Sequence, residues 1–162
     1  MKLSTRGRYG LRAAADLAVH AKEGPVSISS IAGRQNLSER YLEQLIARLK
    51  KAGIVKSIRG SSGGYVLTRP AGEISVGEIL RALEGSMKVV DCPENGEACT
   101  NYDSCVTKYV WRRINDSINR TVDGMTLEEI ITGRMESGSW IKNGSIRITR
   151  RQPQPGRKLW KR

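Results

Sequence analysis

The sequence predicts a mainly α-helical chain with one small β-hairpin, namely a winged helix-turn-helix domain followed by a long helix suited to dimerisation. Three observations carry this expectation. Residues 27–67, SISSIAGRQNLSERYLEQLIARLKKAGIVKSIRGSSGGYVL, read as a short helix, a turn, an amphipathic helix and a glycine-tipped hairpin. Further on, Val106, Val110, Ile114 and Ile118 stand four apart, which makes one apolar stripe along a helix. Charge is also segregated: net +7 over residues 1–84, −3 over 85–140 and +8 over 141–162, within a total of +12 and a pI near 10.1. Basic ends around an acidic middle suggest a polyanion partner for the ends and another task for the centre.

The 162 residues allow one domain with an appended helical arm, and a 38% apolar content without phenylalanine leaves the core to Leu, Ile, Val and Ala. The expected organisation is a DNA-binding winged domain over 1–84, a cysteine loop over 85–105, a dimerisation helix and short terminal helix over 106–134, and a basic, unstructured tail over 135–162. No segment approaches the roughly 18 consecutive apolar residues of a bilayer span, and no secretory signal pattern opens the chain. A cytoplasmic protein without a membrane partner is expected.

A first helix is predicted over residues 4–22, opened by Ser4 or Thr5 and closed before Gly24-Pro25, with Tyr9, Ala13, Leu17 and Ala21 along one side. Arg6, Arg8 and Arg12 crowd its first turns. That suits the helix dipole poorly, but it would serve if a phosphate lay there; a solvated basic face is the plainer account. The lone histidine, His20, reads as a surface or packing residue rather than a ligand. Ser27 can cap the next helix, whose apolar side is Ile28, Ile31 and Ala32, and Asn36 breaks it because asparagine tolerates the left-handed turn. Ser38 then caps a helix in which Tyr41, Leu42, Leu45, Ile46 and Leu49 recur at spacings of three and four. Its opposite face carries Glu39, Arg40, Glu43, Gln44 and Arg48. Gly53 closes it, and Ile54–Ile58 and Tyr65–Leu67 form a hairpin with Arg59 near its tip.

This is the chemistry of a duplex reader. A major groove admits a helix whose first turns meet base edges, and arginine, glutamine and glutamate pair with particular bases. A glycine-rich wing lets backbone approach phosphates while arginine suits the narrow minor groove. The candidate contacts to double-stranded DNA are Ser38, Arg40, Tyr41, Glu43 and Gln44 on the helix and Arg59, Gly60 and Ser61 on the hairpin. Helix-turn-helix units also serve as plain packing elements, and an RGSSGG loop alone can be a simple hairpin.

After the connector Arg69-Pro70-Ala71-Gly72, Ser75-Val76-Gly77-Glu78 has the form of a capping box, and a helix follows to Leu83 with Val76, Ile79, Leu80 and Leu83 inward. A long helix over 104–122 comes next, and its stripe asks for a partner. Since the winged part is complete without it, a symmetric homodimer seam is expected, with packing inside one domain as the alternative. Thr126-Leu127-Glu128-Glu129 is a second capping box.

Between these helices Cys92, Cys99 and Cys105 form C-x6-C-x5-C in a stretch without helical period. Thiolates are the ligands that iron-sulfur clusters and zinc select, and close-spaced cysteines in a reducing compartment read as metal ligands or a redox sensor rather than a disulfide framework. A cysteine-dependent enzyme would need a base beside the thiolate, yet the only histidine lies in the first helix, and no nucleophile motif or phosphate loop is present. The chain is not expected to be an enzyme.

The runs LSTRGRYGLRA, YLEQLIARLKKAGIVKSIRGSSGGY and SVGEILRALEG resemble those of the IscR-like (BadM/Rrf-type) regulators, winged-helix transcription factors named for iron-sulfur cluster assembly. The resemblance spans roughly residues 1–133. It implies a DNA-binding transcription regulator, a repressor, with Glu43 and Gln44 in the major groove, Arg59 in the minor groove and Arg40 in a neighbouring slot that varies between members. It also implies a 2Fe-2S cluster on Cys92, Cys99 and Cys105, with a histidine three residues after the last cysteine as fourth ligand. Here the chain departs: that position is Lys108, and the first cysteine spacing is one residue longer. Glu94, Glu97, Asp103, a residue of another chain or solvent could complete a cluster, and zinc binding or reversible thiol oxidation would need no histidine.

Overall fold

A computed structural model of the chain describes residues 4–60, 62–90 and 99–133, together with the backbone of 141–142 and 145–146. Helix α1 (Thr5–His20) starts at Ser4, whose hydroxyl accepts from the Arg6 N–H, and the unbroken run Ala13–Ala18 is buried. It ends two residues earlier than the spacing predicts. A 3₁₀ turn, Ala21–Glu23, and Gly24 at φ 106° redirect the chain toward Pro25. Helix α2 (Ile28–Gln35) is capped by Ser27 and closed by Asn36 at φ 53°, ψ 53°, the left-handed conformation its residue type favours.

Helix α3 (Glu39–Lys51) follows at once, with the Ser38 hydroxyl accepting from the Tyr41 N–H at 3.3 Å. Leu42, Leu45, Ile46 and Leu49 are each about 1% exposed or less, so this one stripe sits in the core beside Leu17, Ile31, Ile54 and Leu83. Burial of each leucine or isoleucine is worth about 1.5–3 kcal/mol, which fixes the rotation of α3 and with it the face left in solvent. Strands β1 (Val55–Ile58) and β2 (Gly64–Leu67) pair antiparallel in the register Val55 with Leu67 to Ile58 with Gly64.

The hairpin is not mounted on α3 alone. Val26 and Tyr65 exchange both backbone bonds, at 3.0 and 2.8 Å, so the connector before α2 adds a rung to β2. Helix α4 (Val76–Glu84) lies across α1 at close range: a Cβ on Gly10 would stand 2.3 Å from Leu83 Cδ1. Its expected capping box is half made. Ser75 Oγ accepts from the Glu78 N–H at 3.1 Å, but the Glu78 carboxylate has turned away to pair with Arg69.

Helix α5 (Lys108–Asp123) begins four residues later than its apolar period suggests, because residues 101–104 form turns. It reaches α4 only through its second half, where Ile118 and Val122 pack on Val76, Leu80 and Met87. Helix α6 (Leu127–Thr132) opens on the full capping box of Thr126 and Glu129 and is tied to the start of α4 by Leu127 N–H to Ile74 O at 2.9 Å and Val76 N–H to Met125 O at 2.8 Å. Most of the basic tail, expected to lack structure, lies outside the described residues; within it Ile141–Lys142 (β3) pairs antiparallel with Ser145–Ile146 (β4). Among the described residues no helix is long and apolar enough to cross a membrane.

Candidate nucleic-acid interface and cysteine loop

Because α3 buries its leucine stripe, the opposite side is a polar ridge. Arg40, Glu43 and Gln44 are exposed on it, with Ser38 exposed at its start and Arg48 and Lys51 further along. Tyr41 is half-buried and tied inward: its ring meets Tyr9 edge-on at 6.2 Å, and its hydroxyl lies 3.4 Å from Thr5 Oγ1. Arg59 and Gly60 are exposed just beyond β1, Gly60 at φ 121°, while Ser61 lies outside the described residues. Lys50 Nζ donates to Ser57 Oγ at 3.0 Å, which links the last turn of α3 to the outer side of β1. The end of α3 and strand β1, which leads to Arg59, are therefore joined by this bond and by the shared core residues Leu49, Ile54 and Val55.

The support behind this ridge was not visible as a motif. Asp16, 2% exposed, accepts from Arg34 Nε and a terminal Arg34 nitrogen, the latter at 2.6 Å, and from Gln35 Nε2 at 2.8 Å, which pins α2 to α1. The hydrogen bond to Asp16 holds the Arg34 guanidinium above its ordinary pKa, against the cost of its burial. Gln35 in turn accepts from Arg12 Nε at 3.0 Å. His20 is a packing residue with Nδ1 2.9 Å from the Asp16 carbonyl oxygen. A polar side chain inside the otherwise apolar run Ala13–Ala18 of α1, Asp16, is the available signal.

Of the three cysteines, Cys92 lies outside the described residues, as do Glu94 and Glu97, while Cys99 and Cys105 are free thiols, both partly exposed. Cys105 stands just before α5. Its sulfur is 3.2 Å from Thr107 Oγ1, and that bond and one from the Lys108 N–H hold its thiol below the usual range for cysteine. Lys108 is committed elsewhere: Nζ donates to Tyr102 O at 2.7 Å and Asp103 O at 3.3 Å and lies 4.6 and 5.3 Å from the ring centroids of Tyr102 and Tyr109. Among the described residues no group of three or more His, Cys, Asp or Glu side chains stands together as a metal site. The thiol donors suit soft metals and iron-sulfur clusters; the ammonium at residue 108, a cation with no lone pair, does not.

Residues 3–133 match the Rrf2 family, described as an iron-dependent transcriptional regulator. The chain belongs to the Rrf2 family. Among relatives, the HTH-type transcriptional regulator IscR of Pectobacterium carotovorum subsp. carotovorum is 40% identical over 134 residues, covering 83% of this chain and 81% of its own. The IscR of Yersinia enterocolitica is 36% identical over 156 residues, covering 95% and 94%. Among solved structures, CymR (YrzC), the global cysteine regulator of B. subtilis, aligns with TM-score 0.69 and 44% identity over 82% of this chain and 98% of its own. T. potens IscR aligns with TM-score 0.67 and 49% identity over 84% and 90%. As a member of the Rrf2 family this chain is a winged-helix DNA-binding transcription regulator, and the β1–β2 hairpin is the wing of that fold.

Proposed function

We propose that this Rrf2-family regulator binds a near-palindromic operator as a cytoplasmic homodimer and represses transcription from it, with an iron-sulfur cluster on Cys92, Cys99 and Cys105 setting its affinity or site choice. On this reading Ser38, Arg40, Tyr41, Glu43 and Gln44 meet the major groove while Arg59, Gly60 and Ser61 serve the wing. The observation that carries it is the exposed polar ridge of α3, joined at its end to the strand that leads to the exposed Arg59. The relatives named IscR and three thiol donors in one loop support the cluster, which we assign to the 2Fe-2S type by family resemblance. Such a cluster supplies a charged, redox-active group bound through thiolates. Lys108 fills the position of the expected histidine and is not the fourth ligand, because its ammonium has no lone pair and is held by two carbonyls. The regulatory step is conformational, since ligation can act only by favouring one arrangement of the loop and α5 over another.

Footprinting tests the reader: Gln44→Ala relaxes base preference at a cost of about 1–3 kcal/mol and Arg59→Ala weakens specific binding. Unchanged binding by both removes α3 and the wing from these roles. Anaerobic purification with an absorption spectrum and an iron and sulfide assay tests the cluster, and colourless protein without iron rejects it.

A second reading, reversible thiol oxidation, is favoured by the lowered pKa of the partly exposed Cys105 thiol and by the similarity to CymR. Its mark is alkylation of Cys105 faster than Cys99 in metal-free protein at neutral pH.

A further inference from the structure

The three arginines at the start of α1 look equivalent in sequence but have different surroundings in the fold. Arg6 is drawn toward Glu84, 3.7 Å away, and Arg12 donates to the side chain and backbone of Gln35 at 3.0 and 2.9 Å. The Arg8 side chain makes neither a hydrogen bond nor an ion pair among the described residues; its guanidinium rests over the Tyr9 ring, 5.6 Å from the centroid, and the residue is exposed. Tyr9 is the ring that meets Tyr41 in the first turn of α3. Arg8 is thus one side chain removed from the end of the reading helix, at the rim of the ridge that carries Arg40 and Gln44.

The helix end itself is closed to an outside anion. Glu84 Oε1 already accepts from the Ser4 N–H and the Gly7 N–H, at 3.0 and 2.8 Å, so the amides of α1 have an internal carboxylate. Positive charge is carried outward from here by side chains, and of the three arginines Arg8 is the one whose side chain has no hydrogen bond or ion pair among the described residues. A helix whose first turn enters a major groove about 12 Å wide is flanked by phosphates on both walls, and a guanidinium beside that turn lies against one wall. From these observations we infer that Arg8 is a backbone-phosphate contact, a positioning residue that sets how deeply α3 enters the groove without choosing bases. Tyr9 holds the guanidinium through its ring face, leaving all of its N–H donors for phosphate oxygens.

The inference rests on α3 being the reading helix, so its test includes a control for that. Binding of the full-length protein to its operator and to an unrelated duplex is measured across a salt series for Arg8→Ala, Arg8→Lys and Gln44→Ala. Arg8→Ala lowers affinity about tenfold for both duplexes at moderate salt and reduces the slope of log K against log salt by about 0.9 for each reading head. Arg8→Lys keeps the slope, and the melting temperature of both variants stays close to the parent's, since the Arg8 side chain has no hydrogen bond or ion pair to lose among the described residues and its contact with the Tyr9 ring is exposed. Parent-like affinity of Arg8→Ala for both duplexes overturns the assignment, and so does a loss confined to the operator with an unchanged slope, which would mean base contact. Gln44→Ala keeps the salt slope and loses sequence preference; if it too is parent-like, the placement of α3 has failed, and Arg8 fails with it.

Discussion

Glu84 caps the helix that Ser4 begins, 80 residues away: its Oε1 accepts from the Ser4 N–H at 3.0 Å, the Ser4 hydroxyl at 2.6 Å and the Gly7 N–H at 2.8 Å. This explains how α1 tolerates a first turn with no acidic residue and arginines at 6 and 8. The acid that complements the helix dipole comes from α4, and the same contact locks α4 across α1.

A pH dependence follows. Burial works against the charged form of Glu84, but the bonds from Ser4 and Gly7 and the nearby Arg6 outweigh it and hold its carboxyl below the ordinary value. A carboxylate with a depressed folded-state pKa stabilises the fold above its unfolded value, about 4.3, and that contribution fades as pH falls through the folded-state pKa. Glu84→Gln is therefore less stable than the parent at pH 7, and the gap narrows in acid below about pH 4. Urea unfolding at a series of pH values reads this directly; a gap that stays constant with pH would remove the charge of Glu84 from the contact.

The mount of the wing depends on Gly64. A Cβ there would stand 2.6 Å from the Val26 carbonyl oxygen and 2.9 Å from the Val26 nitrogen, both backbone atoms that cannot swing aside. Gly64→Ala parts the Val26–Tyr65 rung, whose two bonds contribute roughly 1–3 kcal/mol together. Specific DNA binding falls through the wing. Hydrogen exchange at the Tyr65 amide is the measurement, and undiminished protection there would mean that the hairpin is held without this rung.

How far these features were legible depends on the range of the interaction that makes them. The turn between α2 and α3 could be read because Asn36 and Ser38 act on their own neighbours, and the ridge of α3 because burying Leu42, Leu45, Ile46 and Leu49 dictates which residues face out. The Glu84 cap, the Val26–Tyr65 rung and the Asp16–Arg34 pair join residues far apart in the chain, and no local pattern announces such partners. The start of α5 at Lys108 departs from its apolar period for a related reason. Apolar period alone extends the helix back through Val106, whereas the Lys108 ammonium takes the carbonyls of Tyr102 and Asp103 and holds that segment as turns. Glu78 also answered to a distant partner, Arg69, rather than to its own helix end.

The first half of α5 is the candidate dimer seam. Tyr109, Val110 and Ile114 are 63%, 54% and 37% exposed, and Val106 just before the helix is 79% exposed, whereas the second half of the same stripe, Ile118 and Val122, is covered by α4. An apolar stripe that is half covered within the chain and half bare is what a symmetric helix pair would complete. Ile114→Asp places a charge in that seam and converts the dimer to monomer at micromolar concentration in sedimentation velocity. A dimer as tight as the parent would move the interface elsewhere.

Lys108 separates the two roles that a residue beside the cysteines can have, ligand or strap. Its Nζ is held by Tyr102 O, Asp103 O and the Tyr102 ring, all within the turn that joins Cys99 to Cys105, and by the Tyr109 ring of α5, so its work is to shape that turn. Lys108→Met keeps the length and apolar stem but removes the ammonium, leaving both carbonyls to water. Amide exchange over residues 101–107 then speeds up, by roughly tenfold if about 1.4 kcal/mol of local stability is lost. Because the ammonium is not a ligand, anaerobically purified Lys108→Met keeps the positions of the parent's visible absorption bands, while Cys92→Ala, Cys99→Ala and Cys105→Ala each lose them and share one altered operator preference as folded dimers. A changed band pattern in Lys108→Met, with exchange over 101–107 left as in the parent, would make residue 108 a direct partner of the bound group rather than the strap of its loop.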